Sequence, residues 1–174
     1  MIRVASQLTF CSPQEILRRT VVEQNEESII TGLFSLDNSS VESAHTLFYD
    51  GIISAGFVSI KQHVGVFKDL LSDYNYIDLS IDKKAEIIKQ NKPLILDVGT
   101  NTTEQINQLL PLIAPALSDF TIFEIIAACS YYPAVVLGIT ASLGVGQNTE
   151  LLLWENSDLV EKRITKRTQI RKIG

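Results

Sequence analysis

The chain has 174 residues, 45% of them hydrophobic and 20% charged, with a formal net charge of -5; this is enough for one real core and far from the composition of a disordered segment. The acidic balance excludes a global basic field that would hold nucleic acid, and no window reaches the roughly 18 apolar residues of a membrane span. Two cysteines, Cys11 and Cys129, give neither a disulfide framework nor a zinc-type spacing. Both read as buried small hydrophobes in a reducing compartment, and the polar start of the chain lacks the apolar centre of a signal peptide. A cytoplasmic protein without membrane or nucleic-acid partners is expected.

Taken in order, residues 2 to 10 alternate loosely between apolar and polar, Ser12-Pro13 breaks the run, and Leu17 to Val22 reads as a second strand. Glu23 to Glu27 is a polar turn. Ser28 to Leu36 supplies a third strand, with Gly32 marking a bulge or a close neighbour. Such a meander must be covered on one face to be stable. Thr46 to Asp50 and Ile52-Ile53 flank an expected turn at Asp50-Gly51. Val66 to Leu71 reads as a short helical piece, Tyr74 to Ser80 as extended, and Asp82 to Asn91 as a helix capped by Asp82.

Pro93 to Val98 is a compact apolar run before Gly99, consistent with a buried strand. Asn101-Thr102-Thr103-Glu104 reads as a capping box opening a helix to about Leu112, which the prolines at 111 and 115 bend or end. Thr121 with Glu124 is a second capping box, starting an apolar helix that Pro133 should terminate. The aromatic pairs Tyr74/Tyr76 and Tyr131/Tyr132 either line a pocket or pack at the rim of the core. Positive charge is uneven: Lys162, Arg163, Lys166, Arg167, Arg171 and Lys172 crowd the end of an otherwise acidic chain. They form either a surface for an anionic partner or a solvated face.

Several stretches together resemble the amidohydrolase superfamily of metal-dependent hydrolases. The first is Tyr49 to His63, where Gly56-Phe57-Val58 leads into Lys61-x-His63. The second is Gly99-Thr100-Asn101-Thr102. The third and longest runs from Phe123 to Gly138 through Tyr132-Pro133-Ala134 and Leu137-Gly138, and continues as Ser142-Leu143-Gly144 to Trp154. Tyr132, Ala141, Gln147 and Glu150 depart from the family's usual Asn, Gly, Lys and Asp. The resemblance implies a mixed α+β fold with an α/β remnant. Residues 1 to 56 and 140 to 174 would form a small composite β-sandwich, so that residues 2 to 53 pair with the carboxyl end. Residues 57 to 139 would be a truncated, mostly helical remnant of the barrel. A full (β/α)8 barrel needs about 250 residues, and the stretch from Val64 through Lys92 has only 29.

In this family a metal-bound water attacks a carbon attached to nitrogen, with a His-x-His pair on the first barrel strand aimed inward by period-two spacing. Lys61 stands at the first of those positions, and an ammonium offers no lone pair to a cation. His63 alone is a weak ligand, and His45, the other histidine, reads as a surface residue. Asn101 stands where the resemblance places an aspartate, and an amide is no general base. Asp97, four residues earlier, is the candidate to compensate, but it would sit deeper and out of register.

The expectation is therefore a non-catalytic relative with a vestigial pocket at Lys61, His63, Asn101 and Asp97, acting in binding, scaffolding or regulation. It would have no cofactor, and a homodimer or another protein would cover the edges of the shortened barrel. One alternative is an active hydrolase of non-peptide carbon-nitrogen bonds, with zinc or another divalent metal held across a homodimer by His63, Asp97, Asp50 and Glu104. A second is a small-molecule binding module that uses Lys61 and Asn101 as donors.

Overall fold

In the computed structural model, which describes all residues except 38–44, 62–64, 80–86, 88 and 141, the chain is mixed α+β and mostly sheet. Strands β1 (Ile2–Ser12), β2 (Glu15–Gln24) and β3 (Ile30–Ser35) form an antiparallel meander. Strand β4 (Leu47–Ala55) lies on the other side of β1 and parallel to it. Near the carboxyl end, β7 (Leu151–Glu155) pairs antiparallel with both β4 and β8 (Gln169–Ile173). The result is a six-stranded sheet of order β3-β2-β1-β4-β7-β8. Ile52 faces Trp154 across the junction, and Ser54 faces Leu152, so the two ends of the sequence share one sheet.

The strands from the two ends of the chain, expected as a small sandwich, make a single six-stranded sheet that curls. Although β3 is an edge strand four places from β7, Ile30 N–H donates to Gln147 O at 2.8 Å and Gly146 N–H to Ile30 O at 2.7 Å. Thr149 N–H likewise reaches Ser28 O. Only a strongly coiled sheet brings that edge to the segment leading into β7. Inside the curl lie Val22, Ile30, Ile53, Leu143, Leu151, Leu153 and Ile173, all buried.

Asp50-Gly51 is not a turn but a bulge within continuous β4. Ser6 pairs with Tyr49 and Leu8 with Ile52, so β4 spends one extra residue there. Gly51 has φ +146°, and a Cβ there would stand 2.3 Å from Trp154 O; only glycine fits that approach. The register of β2 with β3 shifts beside Gly32, a bulge at the glycine inside β3.

The outer face of the sheet packs on the middle of the chain. This part contains α1 (Lys68–Leu71), β5 (Asn75–Asp78), β6 (Leu94–Asp97) and α2 (Thr103–Ile113). It continues with α3 (Ile122–Ile126), a π-helical turn (Ala127–Tyr131) and α4 (Tyr132–Leu137). Strands β5 and β6 form a separate parallel pair. Phe10, Ile52, Leu152, Trp154 and Ile170 from the large sheet meet Leu94, Leu96, Ile106, Leu110, Ile122 and Ile126 in the main core. Trp154 Nε1–H donates to Ser54 Oγ at 2.9 Å, which satisfies the one polar atom this large side chain brings inside.

Two helix readings shift. The cap of α2 is Thr102 rather than Asn101: its hydroxyl accepts Gln105 N–H while Gln105 Oε1 accepts Thr102 N–H. Pro111 lies inside α2 without ending it. The box at Thr121 and Glu124 forms as read, and Lys89 pairs with that glutamate at 2.9 Å. Hydrogen bonds from Thr121 and Lys89 hold the Glu124 carboxyl below its ordinary range, against the opposing effect of burial, the largest single influence. Pro133 does not stop the helix, which runs on to Leu137 and ends at Gly138 with φ +69°. Most of the helix expected over 82 to 91, with its cap Asp82, lies outside the described residues.

Candidate functional site

The site begins with Pro133. Its missing N–H leaves the carbonyl four residues earlier, Cys129 O, without a helical donor, and the π-helical turn occurs at that point. Val58 N–H fills the vacancy at 3.0 Å. That bond lays the connection after β4 alongside the carboxyl end of β6. The resemblance implies a first barrel strand here, yet residues 56 to 60 belong to no strand. They cross irregularly, which frees their backbone donors for another partner.

That partner is Asp97, the last residue of β6 and 0% exposed. Its Oδ1 accepts Ser59 Oγ–H at 2.7 Å and Gly99 N–H at 2.8 Å. Its Oδ2 accepts Ile60 N–H at 3.0 Å and Tyr76 O–H at 3.2 Å. Each carboxylate oxygen thus takes one backbone donor and one hydroxyl. Burial first, and then the charges of Asp97 and Asp78, push the Tyr76 phenol far above its usual range, so it stays a donor. Cys129, buried nearby, has its thiol pushed up to about 12, chiefly by burial and then by Asp97.

Lys61 sits at the edge of this network, its Nζ 3.3 Å from Asp78 Oδ2. Asp78 ends β5 and is in register with Asp97. Structure thus places Lys61 and Asp97 at the same ends of the two parallel strands, whereas His63 lies outside the described residues. Asn101 belongs elsewhere. It lines a cleft of about 330 Å³ together with Thr100, Thr103, Phe57 and Leu152, with Lys172 and Glu150 at one side; these last two form an ion pair. Lys61 does not line that cleft.

Among the described residues, the donors at this site do not suit a divalent metal. Asp97 has both oxygens engaged by protein donors, and Lys61 brings an ammonium beside the second carboxylate. Asp50 is exposed and accepts Gln7 Nε2–H at 2.8 Å on the β4 bulge, and Glu104 is exposed on the first turn of α2. Among the described residues no three His, Cys, Asp or Glu side chains gather as a metal would require. His45 is exposed. The tyrosines pack together: Tyr132 lies 5.8 Å from Tyr74 and 5.6 Å from Tyr131, against Ile60, Leu71, Ile95 and Val136.

Sequence reasoning missed Ser59, Tyr76 as a donor, and Gly99 N–H. A signal existed for one of them, since Ser59 stands two residues before Lys61 and shares its side of an extended segment. Nothing in the sequence pairs Pro133 with Val58.

Fold and site together define a small mixed α+β protein with a buried, donor-saturated aspartate where its parallel strands end. No family model matches the chain, and no curated protein matches it. Among solved structures it is similar to the crystal structure of N-acetyl-D-glucosamine-6-phosphate deacetylase from Mycobacterium smegmatis. Identity there is 10% and the TM-score 0.27, over 68% of this chain and 30% of that one. A mutant of that deacetylase in complex with N-acetyl-D-glucosamine-6-phosphate matches to the same extent. The chain spans less than a third of the deacetylase's length. No helix of the described residues is long and apolar enough to cross a membrane.

Proposed function

We propose that this chain is an amidohydrolase-like protein that does not catalyse hydrolysis and acts by binding, as a scaffold or regulator. One observation carries the reading: Asp97, the carboxylate best placed to serve as base or ligand, has its acceptor positions filled by four donors of the chain itself. A general base needs a lone pair within reach of a substrate proton, and a metal ligand needs one for the ion. Asp97 instead ties the 56–61 connection to β5, β6 and the loop after it. Amino- and carboxyl-terminal strands sharing one sheet, and the family-like motifs that lie along them, support the amidohydrolase-like description. A homodimer belongs to this reading, because Leu47 and Phe48 on β4 are 58% and 61% exposed and a second copy would cover such a surface.

The cleft beside Asn101 favours a second reading, a small-molecule binding module. Its volume suits a compact ligand, and it opens beyond the carboxyl end of a parallel strand, where ligands of such sheets gather. Thr100, Asn101 and Thr103 offer donors and acceptors over an apolar floor of Phe57 and Leu152.

Native mass spectrometry of the untagged protein tests the first reading by reporting metal and oligomer mass together. A metal-free dimer is expected. Zinc, iron or manganese at one equivalent per chain would overturn it in favour of a hydrolase whose site is completed between subunits, and His63→Ala would then be the first variant to make. A monomer would remove the dimer from the reading and leave the role of Asp97 to the stability test below.

A further inference from the structure

From the connection between β7 and β8, residues 156 to 168, we infer a docking surface for an acidic segment of a partner protein. Lys162, Arg163, Lys166 and Arg167 are all exposed there. None forms an ion pair or a side-chain hydrogen bond among the described residues, whereas Arg3, Arg19, Lys61, Lys89, Arg171 and Lys172 each have a carboxylate. Two carboxylates, Asp158 and Glu161, accompany the four cations, so the connection is +2 and the rest of the chain, from a total of -5, is -7.

The cations are mounted on a fixed backbone. Asp158 and Arg163 exchange two backbone hydrogen bonds of 2.9 Å. Asp158 Oδ1 accepts the N–H groups of Val160 and Glu161. Thr165 Oγ1–H donates to Asn156 O, and Thr165 Oγ1 accepts Arg167 N–H. Lys162 O accepts Ile122 N–H at 2.7 Å, which anchors the loop to the start of α3. Lys162 holds φ +55°, where glycine would serve the turn at lower cost; what the lysine adds is its charge. A loop ordered in advance loses little entropy when it is bound.

Charge and composition select the partner. A nucleic acid carries its phosphates continuously and would run from this loop onto a remainder of -7, and residues 156 to 168 contain no aromatic ring on which bases could stack. A lipid surface would meet a single apolar projection, Val160. A folded partner with a short acidic stretch confines its charge to the loop, and Val160, 87% exposed, supplies the apolar contact inside a charged rim that protein interfaces use. This surface shares no residue with the Asp97 network, so its failure would leave the non-catalytic reading untouched.

The test is fluorescence anisotropy with three labelled or titrated probes: a ten-residue glutamate peptide, an oligouridylate of the same length, and phosphatidylserine vesicles. The peptide is expected to bind at low salt and to weaken about tenfold as salt rises tenfold, as a few screened charge pairs require. The variant Lys162→Gln/Arg163→Gln/Lys166→Gln/Arg167→Gln should lose at least about tenfold in peptide affinity with an unchanged Tm, because these side chains are exposed and pair with no carboxylate among the described residues. Arg18→Gln/Lys68→Gln, which removes two exposed cations elsewhere, should bind as the parent does. Absence of peptide binding, tighter binding of oligouridylate or vesicles than of peptide, or an equal loss in the Arg18/Lys68 variant would each overturn the proposal.

Discussion

Replacing Asp97 by Asn separates a structural carboxylate from a catalytic one. The change keeps the shape and removes one acceptor oxygen. Ser59 and Tyr76 donate through hydroxyls, which can rotate and accept from the new amide instead. The N–H groups of Gly99 and Ile60 cannot, and they approach different oxygens, Oδ1 and Oδ2. Whichever way the amide is turned, one backbone donor faces an NH2 group beside a side chain that is 0% exposed. Orphaning a buried donor costs about 1–3 kcal/mol, and the remaining bonds lose the strength that a charged acceptor gives them, so a total near 3–4 kcal/mol is expected. For a domain of this length that corresponds to roughly a 10 °C fall in Tm. Thermal unfolding followed by circular dichroism measures it. A Tm within about 2 °C of the parent, or above it, would refute the reasoning: catalytic groups are held at a cost to the fold, and removing one commonly stabilises.

Three further predictions concern the surroundings of the site. Cys11 and Cys129 are buried, with thiols pushed up to about 11 and about 12, mainly by burial. Below the unfolded-state value of 9.0 their contribution is fully present; above it the unfolded chain ionises first and stability falls by about 1.4 kcal/mol per pH unit for each thiol until the folded values are passed. Urea midpoints near pH 8 and pH 10 should differ accordingly, and Cys129→Ala should shrink the difference; equal midpoints would contradict the burial argument. Asn107 on α2 both donates to Ile170 O and accepts Ile170 N–H at 2.7 Å, acting as a stand-in strand along the β8 edge. Asn107→Ala should cost about 2 kcal/mol and speed hydrogen exchange at the Ile170 amide, and slow exchange there would show that another group covers it. Pro133→Ala restores an N–H that competes with Val58 for Cys129 O. Exchange at the Val58 amide should accelerate, and unchanged exchange would mean that the connection is positioned by Asp97 alone.

Much of the chain can be read locally because the forces concerned are local. The Thr121–Glu124 box, the early strands and the buried run before Gly99 follow from periodicity and capping within a few residues. The same locality explains the errors. Asp50-Gly51 has the composition of a turn, yet β1 and β7 on either side hold β4 extended, so the glycine serves a bulge pressed against Trp154 O. Pro133 normally ends a helix, but a wider π turn and a donor 75 residues earlier in sequence, Val58, satisfy the carbonyl it leaves bare. Local sequence puts Asp97 out of register for chemistry and carries no sign that Ser59, Ile60, Tyr76 and Gly99 converge on it.

The sequence by itself determined the alternation that makes strands of both ends, the helix starts, the apolar segments that must be buried, and the crowding of cations near the end of the chain. Tertiary structure alone decided that the sheet curls until β3 meets the residues before β7, that Asn101 and Lys61 part company, and that Asp97 is closed by its own chain. The physical reason is the range of the interactions: capping and periodicity act over one or two turns, whereas a buried carboxylate is satisfied only by donors the fold brings from distant positions.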